Sequence, residues 1–281
     1  MDAALLRIGF RVFEIEIATC YDELTVEQFK AVAYHKCTST DRKALLFELL
    51  MLMVPLQKEH LRGLIRLFIA KRKYGAAFNA LTMLVWFDSR KLWKFLQVDD
   101  VIDALPSIEW VFDQNAPQKW SKVKEFTHEN VAYYGPRNGM NGICWKQMQH
   151  ADAISAQFAN AKNEDLLNDL AAILYLPKGE AFNDADDSVN YRITLFKKLP
   201  IEFKYAVYVN YVQLRESFYR GYVLPQSTGG SKPDWMEVTL SVAGAELGEF
   251  NEVGRKPAAV VMARFSMLHK QRLEMEKNNK T

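Results

Sequence analysis

The stretch YYGPRNGMNG, residues 133–142, leads into WKQMQHADAISAQFANA, residues 145–161, and then through a polar break into LAAILYLP, residues 170–177. Gly-Pro restricts the entry into a turn, and the two Asn-Gly pairs readily adopt positive φ. We therefore predict an ordered structural turn at residues 135–142, followed by two helices. The alternative, a nucleotide site at this loop, would depend on Arg137 and Lys146 as the nearby cations.

Helical spacing of apolar residues continues on both sides of this stretch. Thr25 and Gln28 have the spacing of a capping box, which predicts a helix to about His35, and the next helix is expected to end before Pro55. The fold class is therefore mostly α, with a multi-helix, bundle-like body. Further helices are predicted at 144–161, 163–176, 189–198, 201–220, 235–243 and 257–276.

A pattern typical of β structure is clear only near the N-terminus. Apolar residues alternate from Leu6 to Ile17, with a change of phase in the middle. This predicts a strand with a bulge or a short hairpin, so β structure is expected mainly in roughly the first twenty residues. From Asp99 to Asn130 the pattern weakens, which indicates a linker or a surface loop.

The segment QSTGGSKP, residues 226–233, has the composition of a flexible hinge. We therefore divide the chain into a helical body with an N-terminal strand, residues 1–225, and a small C-terminal helical module, residues 234–281. The hinge would let this module move separately from the body.

An apolar stripe on the last helix is the first candidate for partner binding. The opposite face of that helix carries Arg264, Lys270 and Arg272. Alternatively, the stripe packs on the body as one more core helix, because burial of each such side chain stabilises by about 1.5–3 kcal/mol. The stripe consists of Val260, Val261, Phe265 and Leu268.

A second candidate surface is basic. Arg62 and Arg66 lie one helical turn apart, and Lys73 closes a Lys-Arg-Lys run before Gly75. Cations in the last turn of a helix complement its dipole, which is a purely structural interpretation. The alternative is a surface for phosphate groups or for an acidic partner.

No residue set in the sequence is sufficient for catalysis, so we expect no enzyme. His150, Asp152, Glu164 and Asp165 include potential acids and bases, but no third group orients them. We expect no metal and no cofactor, because the Cys20, His35 and Cys37 set lacks a second ligand pair, and the acidic run at residues 184–187 lacks the later positions of a calcium loop.

Composition indicates a soluble globular protein. The net charge of +2 argues against nonspecific nucleic-acid binding, and no apolar run reaches the roughly 18 residues of a membrane-spanning helix. The N-terminus does not have the pattern of a secretory signal. Three scattered cysteines, Cys20, Cys37 and Cys144, predict free thiols in a reducing cytoplasm.

Four motifs carry a resemblance to a known group of proteins. They are YDELTVEQF at residues 21–29, the Tyr-Gly-Pro loop at 134–136, Ala-Asp-Ala at 151–153 and the Leu-x-Ala-x-Leu-Tyr-x-Pro ending at 170–177. With these motifs the chain resembles helical proteins encoded among the late tail genes of Bacteroidetes temperate phages and prophages. Tyr21 stands where that pattern has Trp.

The C-terminal residues, with GEFNEV at 248–253 and LHKQRLEMEK at 268–277, are similar to the helical ends of phage tail-assembly chaperones. The resemblance implies a non-enzymatic protein that binds phage tail proteins, such as the tape-measure protein, in the host cytoplasm. It leaves open a structural component retained in the virion, a nucleic-acid-binding or host-modulating phage protein, and a homo-oligomer.

Overall fold

The computed structural model of the chain describes residues 2–8, 11–39, 41–53, 108–112, 118–183, 187–224, 235–244 and 247–278. The chain divides into two compact units, Met1–Ala116 and Pro117–Thr281. The described residues are mostly helical, which confirms the predicted fold class.

The first unit begins with a β-hairpin. β1 (Asp2–Ile8) pairs antiparallel with β2 (Arg11–Ile17), so the N-terminal β structure takes the form of a hairpin that pairs within one chain. α1 (Val26–Thr38) and α2 (Arg42–Met53) follow. Pro55 and the predicted basic helix lie outside the described residues.

The predicted capping box starts α1. Gln28 N donates to Thr25 Oγ1 at 3.2 Å, and Thr25 N donates to Gln28 Oε1 at 3.0 Å, so each side chain satisfies an amide that the helix leaves unpaired. Elsewhere in the unit, the buried Tyr21 hydroxyl donates to Val111 O at 3.1 Å, and Lys36 Nζ donates to the same carbonyl at 2.6 Å. These bonds hold a 3₁₀ turn at residues 108–112 against Tyr21, which precedes α1, and against the last turn of α1.

The second unit contains a small antiparallel sheet, which the sequence did not predict. Its strand order is β3–β4–β5, with β3 (Glu125–His128), β4 (Val131–Tyr134) and β5 (Leu176–Pro177). The strands have four, four and two residues, too few for alternation to show. In the described part, the N-terminal hairpin holds 14 strand residues and this sheet holds 10, so β structure lies mainly, though not only, in the first twenty or so residues.

Helices make up most of the second unit, and each predicted helix is found with its ends within two residues of the predicted ones. Two short connections, residues 184–186 and 245–246, are not described, nor is the predicted hinge at 226–233. The helices are α3 (Trp145–Ala161), α4 (Asp165–Leu174), α5 (Asp187–Phe196), α6 (Ile201–Tyr219), α7 (Trp235–Val242), the four-residue α8 (Phe250–Val253) and α9 (Ala258–Asn278).

Aromatic side chains pack the sheet on these helices. The Phe126 ring of β3 stacks on the Tyr133 ring of β4 at 5.3 Å and meets the edge of the Phe203 ring of α6 at 4.8 Å. Phe196 of α5 lies 5.3 Å from the Phe126 ring. Ring pairs of this geometry add stabilisation beyond the area that they bury.

The turn predicted at residues 135–142 is present and ordered. Arg137 N donates to Asn141 O at 2.8 Å, and Gly139 and Gly142 have φ of 65° and 89°. Gly135 is required by packing, because a Cβ there would overlap the Tyr175 ring. Among the described helices, none has both the length and the apolar character that crossing a membrane needs.

Candidate functional site

The C-terminal residues are joined to the start of α3 by main-chain hydrogen bonds. Trp145 N donates to Lys256 O at 2.8 Å, and Lys146 N donates to Gly254 O at 2.9 Å. The first amides of a helix have no acceptor within it, so the carbonyls of the 254–256 turn cap α3. This cap fixes the turn that precedes α9.

The Trp145 side chain forms a second attachment, between α3 and α7. It is fully buried, and its Nε1 donates to Thr239 Oγ1 at 2.8 Å. Its ring meets the edge of the Trp235 ring at 5.4 Å, and Trp235 also contacts the Tyr219 ring of α6 at 5.4 Å. The described residues from Trp235 to Asn278 therefore pack on α3 and α6 and belong to the same compact unit.

This packing divides the predicted apolar stripe of α9. Val261 is fully buried, whereas Val260 is 46% exposed. Phe265 and Leu268 are partly buried. Val261 thus belongs to the core, and Val260 remains accessible to a partner.

Exposed large apolar side chains are concentrated in the C-terminal segment. Twelve such residues occur in the described part of the chain, and seven of them lie between residues 235 and 278, which hold about a fifth of the described residues. Isolated exposed apolar residues are normal, but a concentration in one segment is typical of an interaction site. The seven are Met236, Leu240, Phe250, Val260, Met267, Leu273 and Met275.

We call the solvent-facing sides of α7, α8 and α9 the C-terminal surface. Glu237 of α7 and Glu249 beside α8 are exposed acids, while residues 260–270 of α9 carry the exposed Lys270 and the partly buried Arg264. Beyond Lys270 the exposed charges of α9 have both signs: Arg272, Glu274, Glu276 and Lys277. The surface therefore has an acidic, apolar part on α7 and α8 and a basic, apolar part at residues 260–270 of α9.

A buried polar cluster lies between α3 and α6. Asp152 Oδ1 accepts from Tyr211 OH at 2.8 Å and from Arg215 Nη1 at 2.9 Å, and Asp152 Oδ2 accepts from Tyr219 OH at 2.6 Å. Asp152 and Arg215 are each only 7% exposed. Both carboxylate oxygens are thus engaged, by three donors from α6.

The electrostatics keep the two tyrosines and the arginine of this cluster protonated at neutral pH. Burial and then the Asp152 charge raise the pKa of Tyr211 and of Tyr219 well above the ordinary value, so both phenols stay protonated and donate. For Arg215, burial opposes the charged form, but the adjacent carboxylate outweighs it and raises the pKa of the guanidinium. The cluster therefore links α3 to α6 through hydrogen bonds whose donors stay protonated.

The other residues considered for chemistry lie apart from Asp152 in local contacts. The His150 ring packs against the Phe182 ring at 5.8 Å, and Glu164 Oε1 accepts from Tyr205 OH at 2.8 Å. In the first unit, His35 Nδ1 lies 2.9 Å from Glu48 Oε2. None of the three cysteines is in a disulfide, and the described residues contain no group of three potential metal ligands.

Arg62, Arg66 and Lys73, the basic candidates for partner contact, lie outside the described residues. Sequence reasoning missed the role of the Asp152 cluster, although Tyr211, Arg215 and Tyr219 are spaced four residues apart and so share one face of α6. It also missed the cap on α3, for which no sequence signal exists because the acceptors are main-chain carbonyls.

Comparison with known proteins adds no relative to this description. No protein-family model, no curated protein and no solved structure matches the chain.

Proposed function

We propose that the chain is a non-enzymatic phage protein that binds a tail protein during tail assembly, and that the C-terminal surface makes the contact. The concentration of exposed apolar side chains in residues 235–278 carries this proposal. The sequence resemblance to phage tail-gene products supplies the biological context.

A helical client suits this surface best. Val260 and Met267 are 46% and 41% exposed and lie two turns apart on one side of α9, which is the spacing that a partner helix contacts. Leu240 of the adjacent α7 is 61% exposed. The tape-measure protein is long and helical in the phages that the resemblance indicates, and it is the client that we propose.

The attachment of these helices to α3 and α6 supports binding without prior refolding. The α3 cap and the buried Trp145 hold the backbone of α7 and α9 in place. Rigid presentation lowers the entropy cost of binding.

The test is co-purification with the tape-measure protein of the same phage, after co-expression. We expect the double variant Val260→Asp, Met267→Asp to lose at least about 90% of the bound tape-measure protein, because two charges would be desolvated at the contact. Val26→Asp is the matched control, since Val26 is 45% exposed and lies in the first unit. Equal binding by all three proteins would refute the assigned surface.

A second experiment separates an assembly factor from a virion component. Mass spectrometry of purified phage particles should find the tail tube proteins but not this chain. Its presence at a fixed number of copies per particle would favour the structural alternative.

A further inference from the structure

The two parts of the C-terminal surface are complementary to each other. The α7–α8 part combines the exposed apolar Leu240 and Phe250 with the exposed acid Glu237. The α9 part combines Val260 and Met267 with the exposed cation Lys270. The apolar side chains of the two parts can therefore pack together while the acids of one part face the cations of the other.

The two parts are also neighbours, because α7 packs on α9. A two-fold axis beside this pair would place the α7–α8 part of one copy on the α9 part of the other, and would do so twice. Such an interface is isologous: one self-complementary surface is used by both subunits, and it closes at a dimer.

We propose that a second copy of this chain covers the C-terminal surface when no client is bound. This inference rests on the proposed function, because the dimer uses the same surface and a client must displace the second copy. Dimerisation would thereby shield the exposed apolar side chains from nonspecific association.

Charge reversal on each part gives two test variants. The first is Glu237→Lys with Ser241→Lys on α7, and the second is Ala263→Glu with Lys270→Glu on α9. All four positions are solvent-exposed, so both variants should fold, and circular dichroism with thermal melts checks this. In a dimer formed by two copies of the same variant, like charges would face each other across the two-fold interface.

Sedimentation velocity up to about 100 μM reports the assembly state of each protein. We expect the original chain to be a dimer and each variant to dissociate at least about tenfold more readily. An equimolar mixture of the two variants should restore the dimer. In the mixture, the lysines introduced on α7 of one variant face the glutamates introduced on α9 of the other, while the second contact keeps its original charges.

Three results would overturn the inference: an original chain that stays monomeric over this range, oligomers larger than a dimer, or no rescue in the mixture. The last would mean that the reversed charges act within each chain. Failure here is distinguishable from failure of the proposed function. If the chain is monomeric and the variant Val260→Asp, Met267→Asp loses client binding, the proposed function stands and the dimer is refuted. If the chain is a dimer that binds no client, the dimer stands and the proposed function is refuted.

Discussion

The two halves of α9 share one helix but have different surroundings. In residues 258–269, Ala258, Val261, Met262 and Ser266 are buried, and Ser266 Oγ accepts from Val223 N at 2.9 Å. From Lys270 to Asn278 every residue is exposed, including Met275 at 60%. The first half is held by packing and the second extends from it as an exposed helix.

The difference shows that apolar residues on one helix need not have one role. Val261 and Met275 are both apolar, yet one contributes to the stability of the second unit and the other is accessible to a partner. Mutations of the buried residues of α9 should therefore change the free energy of unfolding, and mutations of its exposed residues, Val260 and Met267 of the first half included, should change binding alone.

The largest contrast should come from placing the same charge in each half. Val261→Asp buries an unpaired carboxylate and should lower the free energy of unfolding by more than about 4 kcal/mol. Met275→Asp places the charge in water and should change it by less than about 0.5 kcal/mol. Urea titrations of both variants measure this, and similar losses would show that the exposed half is packed in solution.

The Asp152 cluster should be the next most sensitive feature. Asp152→Ala leaves Arg215 buried without its carboxylate partner and should cost about 3–5 kcal/mol of folding stability. The control is Glu216→Ala, because Glu216 pairs with the other side of Arg215 at 2.8 Å but its side chain is 37% exposed. We expect about 1 kcal/mol or less for that change. Equal losses of folding stability in the two variants would contradict the role of Asp152 in linking α3 to α6.

The tyrosines of the cluster should make stability depend on high pH. Tyr211 and Tyr219 have raised pKa values in the folded chain, whereas an unfolded tyrosine ionises near 10.0. The folded state thus holds these protons more tightly, so stability is fully present below about pH 10 and is lost as the pH rises above it.

Urea titrations between pH 8 and about pH 11 test this dependence. The double variant Tyr211→Phe, Tyr219→Phe should be less stable at pH 8, because Asp152 loses two donors, but should show a shallower decline above pH 10. A decline as steep as that of the original chain would assign the effect to other tyrosines.

The smallest effect is expected from shortening α9. Ending the chain after His269 removes only exposed residues of the described part and should change the free energy of unfolding by less than about 1 kcal/mol.

Ending the chain after Pro233 is the contrasting truncation. It removes Thr239 and the Lys256 carbonyl, the partners of Trp145, and should destabilise the remainder strongly. A stable remainder would support the separable module that the sequence predicted.

Sequence patterns predicted where the helices begin and end, but not which other residues the helices contact. The capping box at Thr25 and the helical spacing around Trp145 are local signals, and local signals determine where helices begin and end. The short strands and the α3 cap depend on main-chain contacts between distant residues, for which the side chains carry no pattern.

The same limit applies to the candidate site. The sequence placed Val260 and Val261 on one apolar stripe, but adjacent residues of a helix point about 100° apart, and the sequence does not say which of the two is buried. That depends on how α9 is rotated on the body, and tertiary packing determines the rotation. Leu240 and Phe250 were not singled out, because an exposed apolar residue in a short helix has the same local pattern as a buried one.

Hydrogen–deuterium exchange of the chain, alone and with the tape-measure protein of its phage, at a concentration at which the free chain is monomeric, tests partner binding at the C-terminal surface most directly. We expect slower exchange in the complex for amides of α7 and of residues 260–278, with the strongest change in the exposed half of α9, where amides should exchange fastest in the free chain. Protection confined to residues 1–116, or no protection anywhere, would contradict binding at this surface.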